Sequence, residues 1–234
     1  MAREAIPRAS FRTPWLPAAR SRWYRSRRVA LIKIQSRVPD AAVRSAERRF
    51  TCASLAVWTA AGAVTTILTM RGDLSVGLGS PRPGALLLEI ALVVLGFEAY
   101  YYGVHRLLHT RALFRSIHSV HHRSKTPTVL SALSLHPIEA LLIAGFLPAA
   151  MVATELHVAS IAISSLYLSV SIGLAHCGYE LFPRGFTRVP VLGWYVTPLV
   201  HDAHHSRVDV NYGATLNLFD RLLGTFRAPG EPAR

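Results

Sequence analysis

Residues 51–70 read TCASLAVWTAAGAVTTILTM and contain no charged side chain. A helix of this length extends about 30 Å, which matches the hydrocarbon thickness of a bilayer. A soluble protein would have to bury every face of such a helix, whereas lipid solvates all of them. The stretch therefore predicts a transmembrane helix.

Three more apolar stretches follow it along the chain. Residues 84–104 are interrupted only by Glu89 and Glu98, and two further stretches occupy 129–152 and 155–178. Hydrophobic residues make up 51% of the chain and charged residues 17%, below the roughly 25% charged residues of soluble proteins. The pattern predicts an all-α integral membrane protein with about four transmembrane helices, under a cytosolic helical cap that carries the remaining polar segments.

Most of the net charge of +13 lies before the first apolar stretch. Residues 1–50 hold 13 of the 26 Lys and Arg residues, against Glu4, Asp40 and Glu47. A basic segment beside a span is typical of the cytoplasmic face, where it meets anionic lipid. Residues 1–50 are therefore predicted to be a basic, partly disordered cytoplasmic arm, and residues 51–234 the membrane domain. No nucleic-acid-binding fold follows the arm, so no nucleic-acid partner is expected.

An even number of spans returns the chain to the cytoplasm after each hairpin. With four spans, the segments that contain most of the histidines, 105–128 and 179–234, lie on the same side as the arm. The predicted localisation is a multi-pass membrane protein with both termini on the cytoplasmic side. Residues 129–152 are short enough to form a re-entrant segment instead.

Eight of the 11 histidines fall in three short boxes. One box is an HxxxH pair, and two HxxHH boxes occupy residues 118–122 and 201–205. Histidines three or four positions apart lie on one face of a helix, where they can share a cation. A lone histidine is more often a surface or core residue, but eight crowded imidazoles repel one another when protonated unless a metal keeps them neutral. The boxes predict metal ligation by His105, His109, His118, His121, His122, His201, His204 and His205.

Two further histidines are candidate ligands. His176 ends the fourth stretch, and His136 lies near the start of the third, where an ionisable residue is costly in lipid. The alternative for His136 is a helix-start residue before Pro137, and His157 is interpreted as an interfacial residue. Eight to ten imidazoles exceed the four ligands of a structural zinc, so they predict two metals with open positions. An all-imidazole set suits iron, zinc, copper or nickel.

The order of these motifs resembles the fatty acid hydroxylase/sterol desaturase superfamily of membrane di-iron enzymes. The resemblance rests on HxxxH, HxxHH, the isolated His176, HxxHH and then Asn211-Tyr212-Gly213, and it covers residues 84–226. It implies two iron ions, O2 as co-substrate and a lipid substrate in the membrane bilayer that is hydroxylated or desaturated. It also implies an external electron donor, of ferredoxin or cytochrome type with its reductase. Glu98 stands where the family pattern leads us to expect Asp.

Metal-bound imidazoles need an acceptor for their second ring N–H. Beyond the ligands, the sequence predicts no catalytic residue, and its candidate acceptors are Glu98, Glu139, Asp202, Asn211 and Asp220. Two other functions stay open at this point. A zinc-dependent membrane hydrolase would work without O2, and a non-enzymatic metal-binding or transport protein would place its ligands along the spans.

Overall fold

Residues 32–229 are described by the computed structural model of the chain. The predicted partial disorder of the arm before residue 32 lies outside the described residues. Helix α1 (Ala41–Met70) begins well before the first apolar stretch, because the Asp40 side chain caps it by accepting from the backbone N–H of Val43 at 2.8 Å. Part of the segment predicted as an arm is therefore the first turns of this helix.

The second long helix, α2 (Pro83–Leu108), follows a turn in which Gly72 adopts a φ of 81°. Pro83 at its first position fits the start of a helix, where a missing N–H costs nothing. The next part of the chain is irregular and contains α3 (Arg111–Leu113), a π-helical turn at Phe114–His118 and α4 (Ser119–His122). This segment places the first HxxHH box beside the end of α2.

The third apolar stretch is helical over only part of its length. It starts with a 3-10 turn at Ser131–Leu133, and its helices are α5 (Pro137–Ala144) and α6 (Phe146–Ala153), which meet at Gly145. The buried hydroxyl of Ser54 on α1 donates to the carbonyl of Leu135 at 3.2 Å, which anchors the irregular part. Apolar residues alone did not reveal that this stretch starts outside a helix.

The fourth apolar stretch forms α7 (Val158–Ala175). Together with α1 and α2 it makes three helices in the described residues that are long and apolar enough to cross a membrane, whereas Pro137–Ala153 is shorter. Helix α1 packs on α5, and α2 packs on α7. Many large apolar side chains on the long helices are exposed, as expected for a surface solvated by lipid. The all-α membrane fold is thus confirmed, and the count of four spans stays a prediction.

Two short strand pairs close the ends of the helical bundle. At one end β2 (Val76–Gly77) pairs with β3 (Leu156–His157) in parallel. At the other end β1 (Ile32–Lys33) pairs antiparallel with β4 (Tyr179–Glu180). Beyond β4 lie two 3-10 turns, Phe186–Arg188 and Leu192–Trp194. They are followed by α8 (Pro198–Arg207) and α9 (Leu218–Leu222). The β1–β4 end carries the histidine boxes.

Candidate metal centre

Four elements meet at the β1–β4 end and supply the histidines. Helix α2 ends with the HxxxH pair, the π-helical turn and α4 together carry the first HxxHH box, α7 ends at His176, and α8 carries the second HxxHH box. Pro198 starts α8, and the Thr197 side chain caps it by accepting from the N–H of Val200 at 3.3 Å. The sequence-distant boxes therefore converge because each one lies at a helix end that faces the same space.

Nine histidines form two groups in which the ligand atoms lie within 4.8 Å of one another. We call them the five-histidine group and the four-histidine group. The five-histidine group consists of His105, His109, His118, His122 and His204. The four-histidine group consists of His121, His176, His201 and His205. All except His109 are buried.

Each HxxHH box is divided between the two groups. Its first and last histidines point to one group, and its middle histidine, His121 in one box and His204 in the other, points to the other group. Residues four positions apart differ by about 40° around a helix, whereas neighbours differ by about 100°. A single box therefore reaches two metal positions, and the two boxes do so in opposite senses.

The Nε2 atoms of each group converge. His118 Nε2 lies 3.0 Å from Nε2 of His105 and 3.1 Å from Nε2 of His122, which in turn lies 3.1 Å from Nε2 of His204. In the four-histidine group, His201 Nε2 lies 2.9 Å from Nε2 of His176.

The opposite ring nitrogens of four histidines donate to fixed acceptors. His105 Nδ1 lies 2.7 Å from the carbonyl oxygen of Tyr212, and His204 Nδ1 lies 2.7 Å from that of Val210. His176 Nδ1 lies 2.8 Å from the carbonyl oxygen of Ile172. His118 Nδ1 lies 2.8 Å from a carboxylate oxygen of buried Glu139. Two acceptor types, backbone carbonyl and carboxylate, therefore hold these four rings.

These bonds fix the proton on Nδ1 and leave the Nε2 lone pair facing inward. The Nε2 lone pairs of His105 and His118, whose nitrogens lie 3.0 Å apart, repel one another, and a cation between them removes that repulsion. Burial also lowers the pKa of His176 and His204 to about 4, so both rings are neutral at neutral pH. The donor set therefore fits two metal ions that accept neutral imidazole, such as iron or zinc.

Three predicted acceptors act on the loop that follows α8 instead of on a ring. Asp220 accepts from the backbone N–H groups of Tyr212 and Gly213, each at 2.8 Å. Glu98 accepts from the backbone N–H and the hydroxyl of Thr215, at 2.8 and 2.6 Å. The side-chain amide of Asn211 donates to the carbonyls of Val200 and Arg227 and accepts from the backbone N–H of Arg227. These contacts hold the carbonyls that accept from His105 and His204.

Two predicted site residues lie apart from the rings. His136 belongs to neither group, because it is the N-cap of α5 and its Nδ1 accepts from the N–H of Ile138 at 3.2 Å. The structure therefore matches the helix-start alternative for His136, and its ligation of a metal stays a prediction. Asp202 accepts from the Gln35 side chain at 2.6 Å, and burial raises its pKa to about 6. Gln35 was missed by sequence reasoning because it lies in the segment before the apolar stretches.

An apolar cavity of about 870 Å³ lies between α1 and α7 and reaches the four-histidine group at His121 and His176. On α7 it is lined at successive turns from Ile161 to His176, a distance of about 22 Å along a helix. On α1 it is lined in the same way from Trp58 to Met70. We call this cavity the slot. Several of its lining residues are exposed, so the slot is open to the outside of the helical bundle.

The sequence matches the family profile described as Fatty acid hydroxylase over residues 90–225. This range contains every member of both histidine groups and exceeds half of the chain. The chain therefore belongs to the fatty acid hydroxylase family. The resemblance inferred from the histidine boxes is confirmed.

Curated relatives carry several names within that superfamily. The chain is 33% identical over 144 residues to very-long-chain aldehyde decarbonylase GL1-1 of Oryza sativa subsp. indica, covering 58% of this chain and 23% of that protein. It is 33% identical over 132 residues to methylsterol monooxygenase 1 of Gallus gallus, covering 55% and 42%. It is also 33% identical over 141 residues to human fatty acid hydroxylase domain-containing protein 2, covering 59% and 38%. The chain thus spans less than half the length of these relatives, and no solved structure matches it.

Proposed function

We propose that this protein is a membrane-bound non-haem di-iron oxidoreductase that uses O2 and external electrons to hydroxylate or desaturate a lipid. The observation that carries the proposal is the pair of buried imidazole groups beside an apolar slot. Family membership and the lipid-oxygenase names of the relatives support it. Bound iron would supply O2 activation and oxidation of an unactivated C–H bond.

The chain's own residues would position the reaction. The four Nδ1 acceptors keep His105, His118, His176 and His204 in the tautomer that presents Nε2 to the metal positions. The slot excludes water from the four-histidine group and aligns an apolar body along the helices. The substrate would enter sideways from the bilayer.

The electrons would come from a separate donor of ferredoxin or cytochrome type with its reductase. The metal site and both termini are proposed to face the cytoplasm, because the basic arm precedes the first span. Tags at either terminus would then be inaccessible from outside intact cells, and an externally labelled tag would contradict this orientation.

Isotope-labelled O2 tests the proposed reaction. The purified full chain, loaded anaerobically with ferrous iron, is given a chemical reductant, isotope-labelled O2 and a membrane lipid extract. We expect O2 uptake that depends on reductant, with either label in a hydroxylated lipid or a new lipid double bond. Hydrolysed lipid produced equally without O2 and with zinc would support the hydrolase alternative and contradict the proposal.

A further inference from the structure

A second, smaller cavity lies beside the end of the slot that reaches the histidines. It has a volume of about 220 Å³, and Val129 lines both cavities. Its wall includes Lys33 and Arg37 from the segment around β1, and Cys177 from the end of α7. We call it the cap pocket. Since Cys177 directly follows His176 of the slot, the two cavities adjoin at the four-histidine group.

The wall of the cap pocket carries two basic side chains. Lys33 and Arg37 are exposed, and neither forms an ion pair with another residue in the range 32–229. The only carboxylate in the described wall is Asp202, which is buried and already accepts from Gln35 at 2.6 Å. Gln35 also donates to the carbonyl of Lys125 at 2.9 Å, which fixes it between the two segments. The charged groups of the cap pocket that remain free to meet a ligand are therefore the cations Lys33 and Arg37.

The polar side chains that α1 contributes to the slot already donate hydrogen bonds to backbone carbonyls. The hydroxyls of Thr65, Thr66 and Thr69 donate to carbonyls one turn earlier on α1, each at 2.9 Å. The indole N–H of Trp58 donates to the carbonyl of Ala140 at 3.0 Å. These lining side chains have satisfied their own donors, so they present mainly hydrocarbon to the cavity.

We propose that the slot and the cap pocket together bind one amphiphile, with its apolar body in the slot and an anionic head, a carboxylate or a phosphate, at Lys33 and Arg37. This inference rests on the proposed function and names the substrate class of the same site. A neutral alcohol head, such as that of a sterol, would leave both cations unused. The carbons nearest the head would lie beside His121 and His176, so oxidation would occur close to the head.

Equilibrium binding tests the proposal with three probes that share one hydrocarbon chain. Radiolabelled hexadecanoate, hexadecyl phosphate and hexadecan-1-ol are titrated into the full chain in nonionic detergent. The test variant is Lys33→Ala with Arg37→Ala. The matched control is Lys125→Ala with Arg123→Ala, which removes two exposed cations outside both cavities.

We expect at least one anion to bind about tenfold more tightly than the alcohol, as charge-assisted hydrogen bonds provide. The test variant should lose this advantage, with alcohol binding unchanged, and the control variant should keep it. Equal binding of the three probes, no binding of any probe, or the same loss in both variants would overturn the proposal. Binding requires no turnover, so oxidised lipid without an anion preference refutes only this inference. An anion preference without oxidation refutes only the proposed reaction.

Discussion

His121 and His204 each point away from the two other histidines of their box. At the scale of single residues, this crossing is what turns two linear motifs into two candidate metal positions. The acceptors on the far side of the rings decide which nitrogen faces inward. For His105, His176 and His204 that acceptor is a backbone carbonyl, and for His118 it is the carboxylate of Glu139. The position of a histidine in its box therefore sets the direction of its ring, and the acceptor, in three of four cases a backbone carbonyl, sets its tautomer.

Glu139→Ala removes the side-chain acceptor of His118 Nδ1. Loss of such an acceptor costs about 10–100-fold in metal affinity, so we expect the five-histidine group to release its metal first. Metal retained per chain is measured against increasing chelator. Glu139→Gln keeps a carbonyl acceptor and should recover most of the affinity, whereas exposed Glu155→Ala should match the wild type. Unchanged retention in Glu139→Ala would refute the assigned role.

His121→Ala and His136→Ala form a matched pair. His121 is buried in the four-histidine group, whereas His136 caps α5 outside both groups. We expect His121→Ala to lose about one metal ion per chain together with its activity, because one of only four ligands is gone. His136→Ala should keep its full metal content. Loss of metal in His136→Ala would show that His136 is a ligand.

At the scale of elements, the loop of residues 210–217 supports the five-histidine group. Its carbonyls accept from His105 and His204, and it is held by two carboxylates from different parts of the chain, Glu98 on α2 and Asp220 on α9. Both carboxylates are fully buried. Through its carbonyls, the loop thus connects His105 at the end of α2 with His204 on α8.

Gly213 allows the close approach on which this loop depends. A Cβ at this position would overlap the carbonyl oxygen of Leu216 and would lie 3.0 Å from a carboxylate oxygen of Asp220. We expect Gly213→Ala to displace the Tyr212 carbonyl and to lower both metal content and the thermal unfolding midpoint. Gly103→Ala on α2 is the control, because no atom lies within 4 Å of its added Cβ. Alanine there favours the helix by about 1 kcal/mol. Equal behaviour of the two variants would contradict this account of the loop.

At the scale of the whole molecule, the buried rings make stability depend on pH. Burial lowers the pKa of His176 and His204 to about 4, whereas an unfolded histidine titrates near about 6.5. The unfolded chain therefore binds more protons between these values, and the free energy of unfolding falls as the pH drops from about 6.5 toward 4. Each ring contributes a loss of about 2 kcal/mol by pH 5.

We expect metal-free protein in detergent to unfold at a lower temperature at about pH 5 than at about pH 7.5. His136→Ala should show the same dependence, since His136 lies outside the buried groups. Thermal unfolding followed by circular dichroism measures both. Equal midpoints at the two pH values would show that the rings are not buried in the metal-free state.

Sequence patterns predicted the helical membrane fold and the nine clustered histidines, because uncharged runs and i, i+4 spacing are local properties. The acceptors were harder to predict. Of the five polar candidates, only Glu139 bonds to a ring, since His105, His176 and His204 use backbone carbonyls, which every residue possesses. The role of Gln35 depends on a contact with Asp202, 167 positions away, which no local pattern indicates. His136 was placed among the ligands because a costly residue near lipid suggested function, whereas it starts a helix.

Metal content of the purified protein tests the central claim most directly. The full chain is prepared in detergent with iron available, kept anaerobic until assay, and analysed for all transition metals per chain, with O2 uptake on reduction measured in parallel. The two histidine groups predict about two iron ions per chain and O2 consumption once reductant is added. Stoichiometric zinc that iron cannot replace, with no O2 consumption, would contradict the di-iron account.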